Sequence, residues 1–121
     1  MNIPEITPTD VKARLDSGDK PTLLDVRQPE EVEIASIEGA LCIPMNAVPW
    51  RLDEMDQEGE IVVFCHHGSR SAQVAQLLSM RGFKNLKNMT GGIDAWAVTV
   101  DSSIPRYQFD GYTAQKLPGQ K

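Results

Sequence analysis

The fold of this chain is decided by ten residues, Ile61-Val62-Val63-Phe64-Cys65-His66-His67-Gly68-Ser69-Arg70. The first four form an uninterrupted apolar run, as expected of a central parallel strand that is covered on both faces. A short loop containing Gly68 follows, and from about Ser69 apolar residues recur with helical spacing until Gly82, a typical helix stop. The stretch therefore predicts a strand, a loop and a helix, with Cys65 at the carboxyl end of the strand.

Segments of strand type and helix type alternate on both sides of this stretch. The first two helix starts, Thr7-Pro8 and Gln28-Pro29, carry residues that suit a first helical turn, because proline fits that turn and a polar side chain can cap it. The alternation predicts an α/β fold with a mainly parallel sheet, whose ligands bind beyond the carboxyl ends of the strands. The expected strands lie within residues 22–26, 39–44, 61–64 and 85–89, and the helices begin near Thr7-Pro8, Gln28-Pro29, Ser69 and Gly91-Gly92.

The same pattern predicts the surroundings of several side chains. Glu30, Glu31 and Glu33 follow a helix start and are expected to form a solvated face. Arg27 is expected to pair with Glu30 or Glu31, which would make it part of the scaffold. Cys42 falls in a short apolar strand and is expected to point into the core.

Length and charge limit the classes of protein that fit. The chain has 121 residues, 40% hydrophobic and 24% charged, as is typical of one globular domain. We expect residues 1–100 to form this domain and residues 101–121 to form a C-terminal extension, partly packed and then flexible. The net charge of −5 argues against nucleic-acid or membrane partners, because both attract basic surfaces.

The N-terminus indicates the compartment, and the compartment indicates the state of the cysteines. The first residues have neither a basic start nor an apolar run, and no apolar stretch approaches the roughly 20 residues that span a bilayer. We therefore expect a cytoplasmic protein. The two cysteines, Cys42 and Cys65, are accordingly expected to be free thiols.

Cys65 is the candidate nucleophile. A tight loop between a strand and a helix directs backbone N–H groups and the positive end of the helix dipole at the sulfur. Such positions, with a cation such as Arg70 nearby, favour a thiolate. The residues thus suggest nucleophilic catalysis in which the thiolate takes up a sulfane sulfur as a persulfide. The structural alternative is an inert buried cysteine at the end of a strand.

Four motifs follow one another along the chain. They are Leu23-Leu24-Asp25-Val26-Arg27-Gln28-Pro29-Glu30-Glu31, then Ile37-Glu38-Gly39-Ala40 with Ile43-Pro44, the loop from Cys65 to Arg70, and Gly91-Gly92-Ile93-Asp94-Ala95-Trp96. In this order they resemble the single-domain rhodaneses, over about Ile6 to Trp96. The resemblance implies a five-stranded parallel sheet flanked by helices on both faces, with no cofactor. Ala35-Ser36 departs from the family pattern, which often has histidine and glycine there.

The resemblance also implies a reaction and a set of site residues. Cys65 would carry sulfur from a donor such as thiosulfate to cyanide or a thiol, which could belong to another protein, with ping-pong kinetics. Arg70 would help bind the anionic donor. The backbone N–H groups of the loop, from His66, His67, Gly68 and Ser69, would form the cradle for the transferred sulfur.

Three other functions remain open at this point. A rhodanese-like domain can serve as a non-catalytic binding or redox-sensing module, or as a sulfur relay.

Cysteine-dependent phosphatases and arsenate reductases use a similar loop, but with five residues between cysteine and arginine, whereas four intervene here. At roughly 3.3–3.6 Å of reach per residue, the shorter loop favours a smaller group. His66 and His67 could bind a metal ion, but no further ligand stands at a suitable spacing, so no metal is expected.

Overall fold

A five-stranded parallel sheet forms the centre of the protein in the computed structural model, which describes residues 2–118. The strand order is β1-β5-β4-β2-β3, and all neighbours pair in parallel. The predicted α/β fold is therefore confirmed. The strands are β1 (Glu5–Ile6), β2 (Thr22–Asp25), β3 (Leu41–Cys42), β4 (Ile61–Phe64) and β5 (Leu86–Met89).

Within residues 2–118, four α-helices and two short 3-10 helices connect the strands. The first helix begins where its sequence predicts, because the Thr7 hydroxyl accepts a hydrogen bond from the Asp10 N–H at 3.1 Å and proline fills the first helical position. No helix within residues 2–118 is long and apolar enough to cross a membrane. The helices are α1 (Pro8–Asp16), α2 (Pro29–Ile34), α3 (Ser69–Met80) and α4 (Gly92–Thr99), with 3-10 turns at Met45–Trp50 and Leu52–Glu54.

The sheet has a separate apolar core on each face. Alternate residues of β4 point to opposite faces, so Val63 joins a cluster with Leu78 of α3, whereas Phe64 joins one with Val11 of α1. Trp96 of α4 belongs to the second cluster as well. Helices thus cover both faces, which confirms that part of the prediction and leaves the carboxyl end of β4 enclosed by α3 and α4.

Two side chains lie in surroundings opposite to those expected. Cys42 is exposed, because β3 is a two-residue strand at the edge of the sheet with little chain to cover it. Glu31 is fully buried, although Glu30 and Glu33 are exposed as predicted. The expectations of a core Cys42 and of three solvated glutamates were therefore wrong at Cys42 and Glu31.

The buried Arg27 also has a different partner from the one expected. Its guanidinium Nη2 contacts the Asp25 carboxylate at 2.6 Å, and both side chains are fully buried. With Glu31 it forms only a bond from Nη1 to the backbone carbonyl, at 3.3 Å. The pairing of Arg27 with a glutamate carboxylate was therefore wrong, although the side chain does belong to the scaffold.

The C-terminal segment turns back onto the domain as a short hairpin. Its antiparallel strands are β6 (Tyr107–Phe109) and β7 (Ala114–Lys116), joined by a turn in which the Asp110 carboxylate accepts N–H bonds from Tyr112 and Thr113. Tyr107 is buried in the cluster on the Phe64 face of the sheet. The flexible end expected at the C-terminus falls partly on residues 119–121, which lie outside the described residues.

Candidate active site

Cys65 follows β4 directly, and its sulfur is surrounded by donors from the start of α3. The residue is 1% exposed. Its Sγ accepts the Gly68 N–H at 3.1 Å and the Ser71 N–H at 3.4 Å, and the Ser71 hydroxyl lies 3.4 Å away. Because these groups stand at a helix N-terminus, negative charge on the sulfur is stabilised there.

Gly68 allows the loop to bend around the sulfur. It caps α3 with a φ of +118°, in the region that favours glycine because it has no Cβ. Its carbonyl accepts a hydrogen bond from the Asn88 Nδ2 at 3.2 Å, and the Ser71 hydroxyl lies 2.6 Å from the Asn88 Oδ1. Asn88, near the end of β5, therefore fixes both the bend and the first turn of α3.

The first turn of α4 holds the other side of the loop. The Ile93 N–H donates to the Cys65 carbonyl at 2.9 Å, and the Asp94 N–H donates to the His66 carbonyl at 3.2 Å. These bonds satisfy the carbonyl groups with N–H donors that α4 would otherwise leave unpaired. The loop can then present its own N–H groups to the sulfur.

Arg70 is held by the buried carboxylate of Glu31. The guanidinium makes two parallel bonds to the carboxylate, at 2.7 and 2.8 Å, and its Cζ lies 4.9 Å from the centre of the Phe109 ring. Burial opposes ionisation of Glu31, but the bonds from Arg70, from the Gln28 N–H and from Tyr107 lower its pKa nonetheless. The pair is thus ionised, and one face of the guanidinium is covered by an aromatic ring.

The two histidines of the loop differ in their surroundings. His67 is exposed, whereas His66 is buried, with its ring stacked 4.1 Å from the Tyr107 ring. The His66 Nε2 lies 3.1 Å from the Tyr107 carbonyl, and because a carbonyl only accepts, this nitrogen must carry the hydrogen. Within residues 2–118, no group of histidine, cysteine and acidic side chains could hold a metal ion.

Burial has a consequence for the protonation of His66. Desolvation and the neighbouring His67 lower its pKa from 6.5 to about 4, although Asp94 and Glu31 oppose the shift. His66 is therefore neutral near pH 7, and its proton stays on the Nε2 that binds Tyr107. It is not suited to accept a proton from Cys65 in neutral solution.

We expect the free energy of unfolding to fall as the pH is lowered from about 6.5 to about 4, in part because of His66. In this window the unfolded chain binds a proton that the folded protein does not, so acid favours the unfolded state. Urea unfolding at pH 7 and pH 5 measures the loss. His66→Gln should reduce it, because glutamine offers an N–H donor that does not titrate.

Measurement at pH 5 separates the contribution of His66 to the free energy of unfolding from the contributions of the carboxylates. Glu31 and Asp94 also have lowered pKa values, but their contributions are lost only below their ordinary values of 4.5 and 3.8. An equal loss of stability between pH 7 and pH 5 in wild type and His66→Gln would rule out this role of His66.

The structure brings together some of the predicted site residues and adds others. Cys65 and Gly68 are in direct contact, whereas in residues 2–118 no hydrogen bond joins Sγ to the N–H groups of His66, His67 or Ser69. The additional residues around the site are Ser71, Asn88, Glu31 and Tyr107. Ser71 stands in the first turn of a helix capped by glycine, where a hydroxyl is a natural donor, and this signal could have identified it.

A parallel α/β domain with a cysteine held at the N-terminus of the following helix defines the class of protein: a cysteine-loop domain suited to binding a small anion or a transferred atom. Within that class, the chain belongs to the rhodanese-like domain family, whose family model matches residues 7–99. Both the fold and the family expected from the sequence motifs are thereby confirmed.

Individual relatives agree with this assignment. The chain is 43% identical to Rhodanese-like/PpiC domain-containing protein 12 of Arabidopsis thaliana over 93 residues, 74% of this chain and 31% of that protein. It is 38% identical to a putative sulfur carrier protein of Bacillus subtilis over 95 residues, 78% of this chain and 51% of that protein. The chain therefore spans about half or less of these two relatives.

A solved structure of similar length shows the same fold. The human single-domain sulfurtransferase superposes with a TM-score of 0.74 and 28% identity, covering 81% of this chain and 98% of that one. The chain is thus a member of a family of sulfurtransferases and sulfur carriers.

Proposed function

We propose that the protein is a sulfurtransferase that carries a sulfane sulfur as a persulfide on Cys65. The observation that supports this most strongly is the Cys65 Sγ, buried at the end of β4 with the Gly68 N–H at 3.1 Å. An inert core cysteine has no need of two N–H donors and a helix N-terminus. A nucleophile whose sulfur must bear negative charge does.

The first half-reaction loads the cysteine. The Cys65 thiolate attacks the outer sulfur of thiosulfate, a new S–S bond forms, and the old S–S bond breaks as sulfite leaves with its electron pair. The product is Cys65-S-S⁻, whose charge now lies on the outer sulfur. The loop N–H groups that do not contact Sγ, those of His66, His67 and Ser69, would surround that outer atom and stabilise it.

The second half-reaction empties the site. Cyanide or a thiolate attacks the outer sulfur, the S–S bond to Cys65 breaks, and the electron pair returns to the Cys65 thiolate. Donor and acceptor thus react in turn at one atom, which gives ping-pong kinetics. A thiol of another protein would serve equally well, and the domain would then work as a sulfur relay.

Arg70 would recognise the anionic donor with the part of its guanidinium that Glu31 leaves free. Arginine has five N–H donors in a planar fork, and Glu31 accepts one from each terminal nitrogen. The remaining donors can bind a sulfonate group, although the Glu31 charge offsets that of Arg70. Recognition would therefore depend more on the direction of the N–H groups than on net charge.

Mass spectrometry of the loaded protein tests the proposed function. We expect intact protein incubated with thiosulfate to gain the mass of one sulfur atom, and the gain to map to the peptide that contains Cys65. Cyanide should then remove the sulfur and yield thiocyanate. A protein that gains no sulfur would refute the proposal, whereas one that loads but passes sulfur neither to cyanide nor to small thiols would be a relay for a protein acceptor.

A further inference from the structure

A buried ion pair and a partly buried ion pair beside the site are connected by one hydroxyl group. Asp25 pairs with Arg27, and Glu31 pairs with Arg70. The Tyr107 hydroxyl donates to the Glu31 Oε1 at 2.8 Å and accepts from the Arg27 Nη1 at 3.1 Å. A guanidinium can only donate and a carboxylate can only accept, so the direction of both bonds is fixed.

Tyr107 belongs to a strand that contacts the site at three further points. Its ring stacks on His66 at 4.1 Å, and its carbonyl accepts the His66 Nε2–H at 3.1 Å. Phe109, two residues further along β6, covers the Arg70 guanidinium at 4.9 Å. The family model ends at residue 99, so this wall of the site comes from the part of the chain beyond the matched domain.

The Glu31 carboxylate needs the tyrosine to hold its plane. Oε2 accepts the Gln28 N–H at 2.9 Å and one bond from Arg70, whereas Oε1 accepts the second bond from Arg70 and the Tyr107 hydroxyl. The last torsion of a glutamate is broad and weakly restrained by itself. Without the hydroxyl, Gln28 would hold the carboxylate at Oε2 but Tyr107 would no longer hold it at Oε1. The carboxylate could then turn about its last torsion, and the guanidinium bound to it would turn as well.

We propose that Tyr107 is a positioning residue for Arg70, acting through Glu31, and that the C-terminal hairpin is therefore part of the site that receives the sulfur donor. The inference rests on the proposed function, in which the free N–H groups of Arg70 bind an anionic donor. Phe109 acts in the same sense, because its ring packs against the guanidinium, with Cζ 4.9 Å from the ring centre.

The test measures loading of Cys65 as a function of thiosulfate concentration in Tyr107→Phe. This variant keeps the ring that stacks on His66 and loses only the hydroxyl. We expect the thiosulfate concentration for half-maximal loading rate to rise by roughly 5- to 10-fold, with a smaller change in the rate at saturation. This is less than the full effect of a lost hydrogen bond to a charged group, because the hydroxyl acts on the donor only through Glu31 and Arg70. The matched control is Tyr112→Phe, since Tyr112 lies on the same hairpin and is 87% exposed.

A double variant separates positioning from general loosening of the structure. In an Arg70→Ala background, Tyr107→Phe should cause no further rise in the half-maximal concentration, because the group that it orients is gone. Phe109→Leu removes a second contact of Arg70, the aromatic ring, and leaves Tyr107 in place. It should also raise the thiosulfate concentration for half-maximal loading rate. Urea unfolding of each variant checks that the loading assays are made on folded protein.

The results distinguish this inference from the function on which it rests. If wild type gains no sulfur, the proposed function fails. If wild type loads but Tyr107→Phe behaves like Tyr112→Phe, or Tyr107→Phe raises the half-maximal concentration as much without Arg70 as with it, the positioning role is overturned while the sulfurtransferase remains. If Tyr107→Phe does not fold, an unchanged half-maximal concentration in Phe109→Leu overturns the role of the hairpin.

Discussion

Cys65→Ser is expected to lose sulfur loading completely while it keeps the fold. The serine hydroxyl replaces the sulfur with an oxygen of similar shape, and the Gly68 and Ser71 donors can still bind it. However, an alcohol stays protonated at neutral pH and cannot attack the sulfane sulfur as a thiolate does. Intact mass after incubation with thiosulfate measures loading, and circular dichroism verifies the fold.

Cys42→Ser is the matched control, and it should load like wild type. Cys42 pairs in register with Asp25, which pairs with Phe64, so it lies on the Phe64 face of the sheet, opposite to Cys65. Its Cα is two strands, about 10 Å, from that of Phe64. Partial desolvation and the Asp25 carboxylate also raise the pKa of the Cys42 thiol. Sulfur on the Cys65→Ser protein, or none on Cys42→Ser, would contradict the assignment of the reaction to Cys65.

The centre of the site was predictable because its causes are local. The run of residues 61–64 forms β4, the helical spacing after Ser69 forms α3, and a glycine stands where the loop requires φ of +118°. These features depend on neighbours in the sequence, so the position of Cys65 at a strand end and a helix start follows from the sequence alone.

The surroundings of Glu31 and Cys42 could not be derived in this way. A glutamate near a helix N-terminus is usually solvated, and only the approach of Arg70 and Tyr107 from distant parts of the chain allows Glu31 to be buried as an ion. Cys42 resembles a core residue in the sequence because its strand is apolar. Its exposure follows from the strand order, which places β3 at an edge.

The hairpin that carries Tyr107 escaped prediction for a different reason. Each strand has three residues, too few to show a period, so the sequence indicates only an extended segment without regular structure. One local signal is present: Asp110-Gly111 follows Phe109, and this dipeptide is typical of a hairpin turn. The signal predicts the turn, but not the contact of Tyr107 with Glu31.

Gly92→Ala is expected to be strongly destabilising. Gly92 has a φ of +61°, and a Cβ there would be pushed against the backbone carbonyl oxygens of Cys65 and His66, far inside contact distance. The positive φ costs about 1–2 kcal/mol for alanine, and overpacking typically adds about 1–3 kcal/mol. Since domains are stable by about 5–15 kcal/mol in total, urea unfolding should show the loss of a large fraction of the free energy of unfolding.

Gly39→Ala isolates the part of this loss that comes from the active-site loop. Gly39 has a φ of +86°, but no atom of residues 2–118 beyond its chain neighbours lies within 4 Å of the position of a Cβ. Gly39→Ala should therefore lose only the backbone contribution of about 1–2 kcal/mol. At Gly92, the carbonyls of Cys65 and His66 cannot move away from an added methyl group without breaking the bonds that they accept from the next two N–H groups of α4. Equal stabilities of the two variants would show that the loop at Cys65 and His66 moves to accommodate the methyl group without loss of stability.

The same contact links stability to chemistry at Gly92. Displacing the carbonyls of Cys65 and His66 also shifts the peptide groups that lead to Gly68, whose N–H lies 3.1 Å from Sγ. We therefore expect Gly92→Ala to load sulfur more slowly per folded molecule, whereas Gly39→Ala loads at the wild-type rate. The measurement is the rate of sulfur loading of both variants at low temperature, corrected for the folded fraction of each. A normal rate in folded Gly92→Ala would mean that α4 supports the domain without shaping the sulfur site.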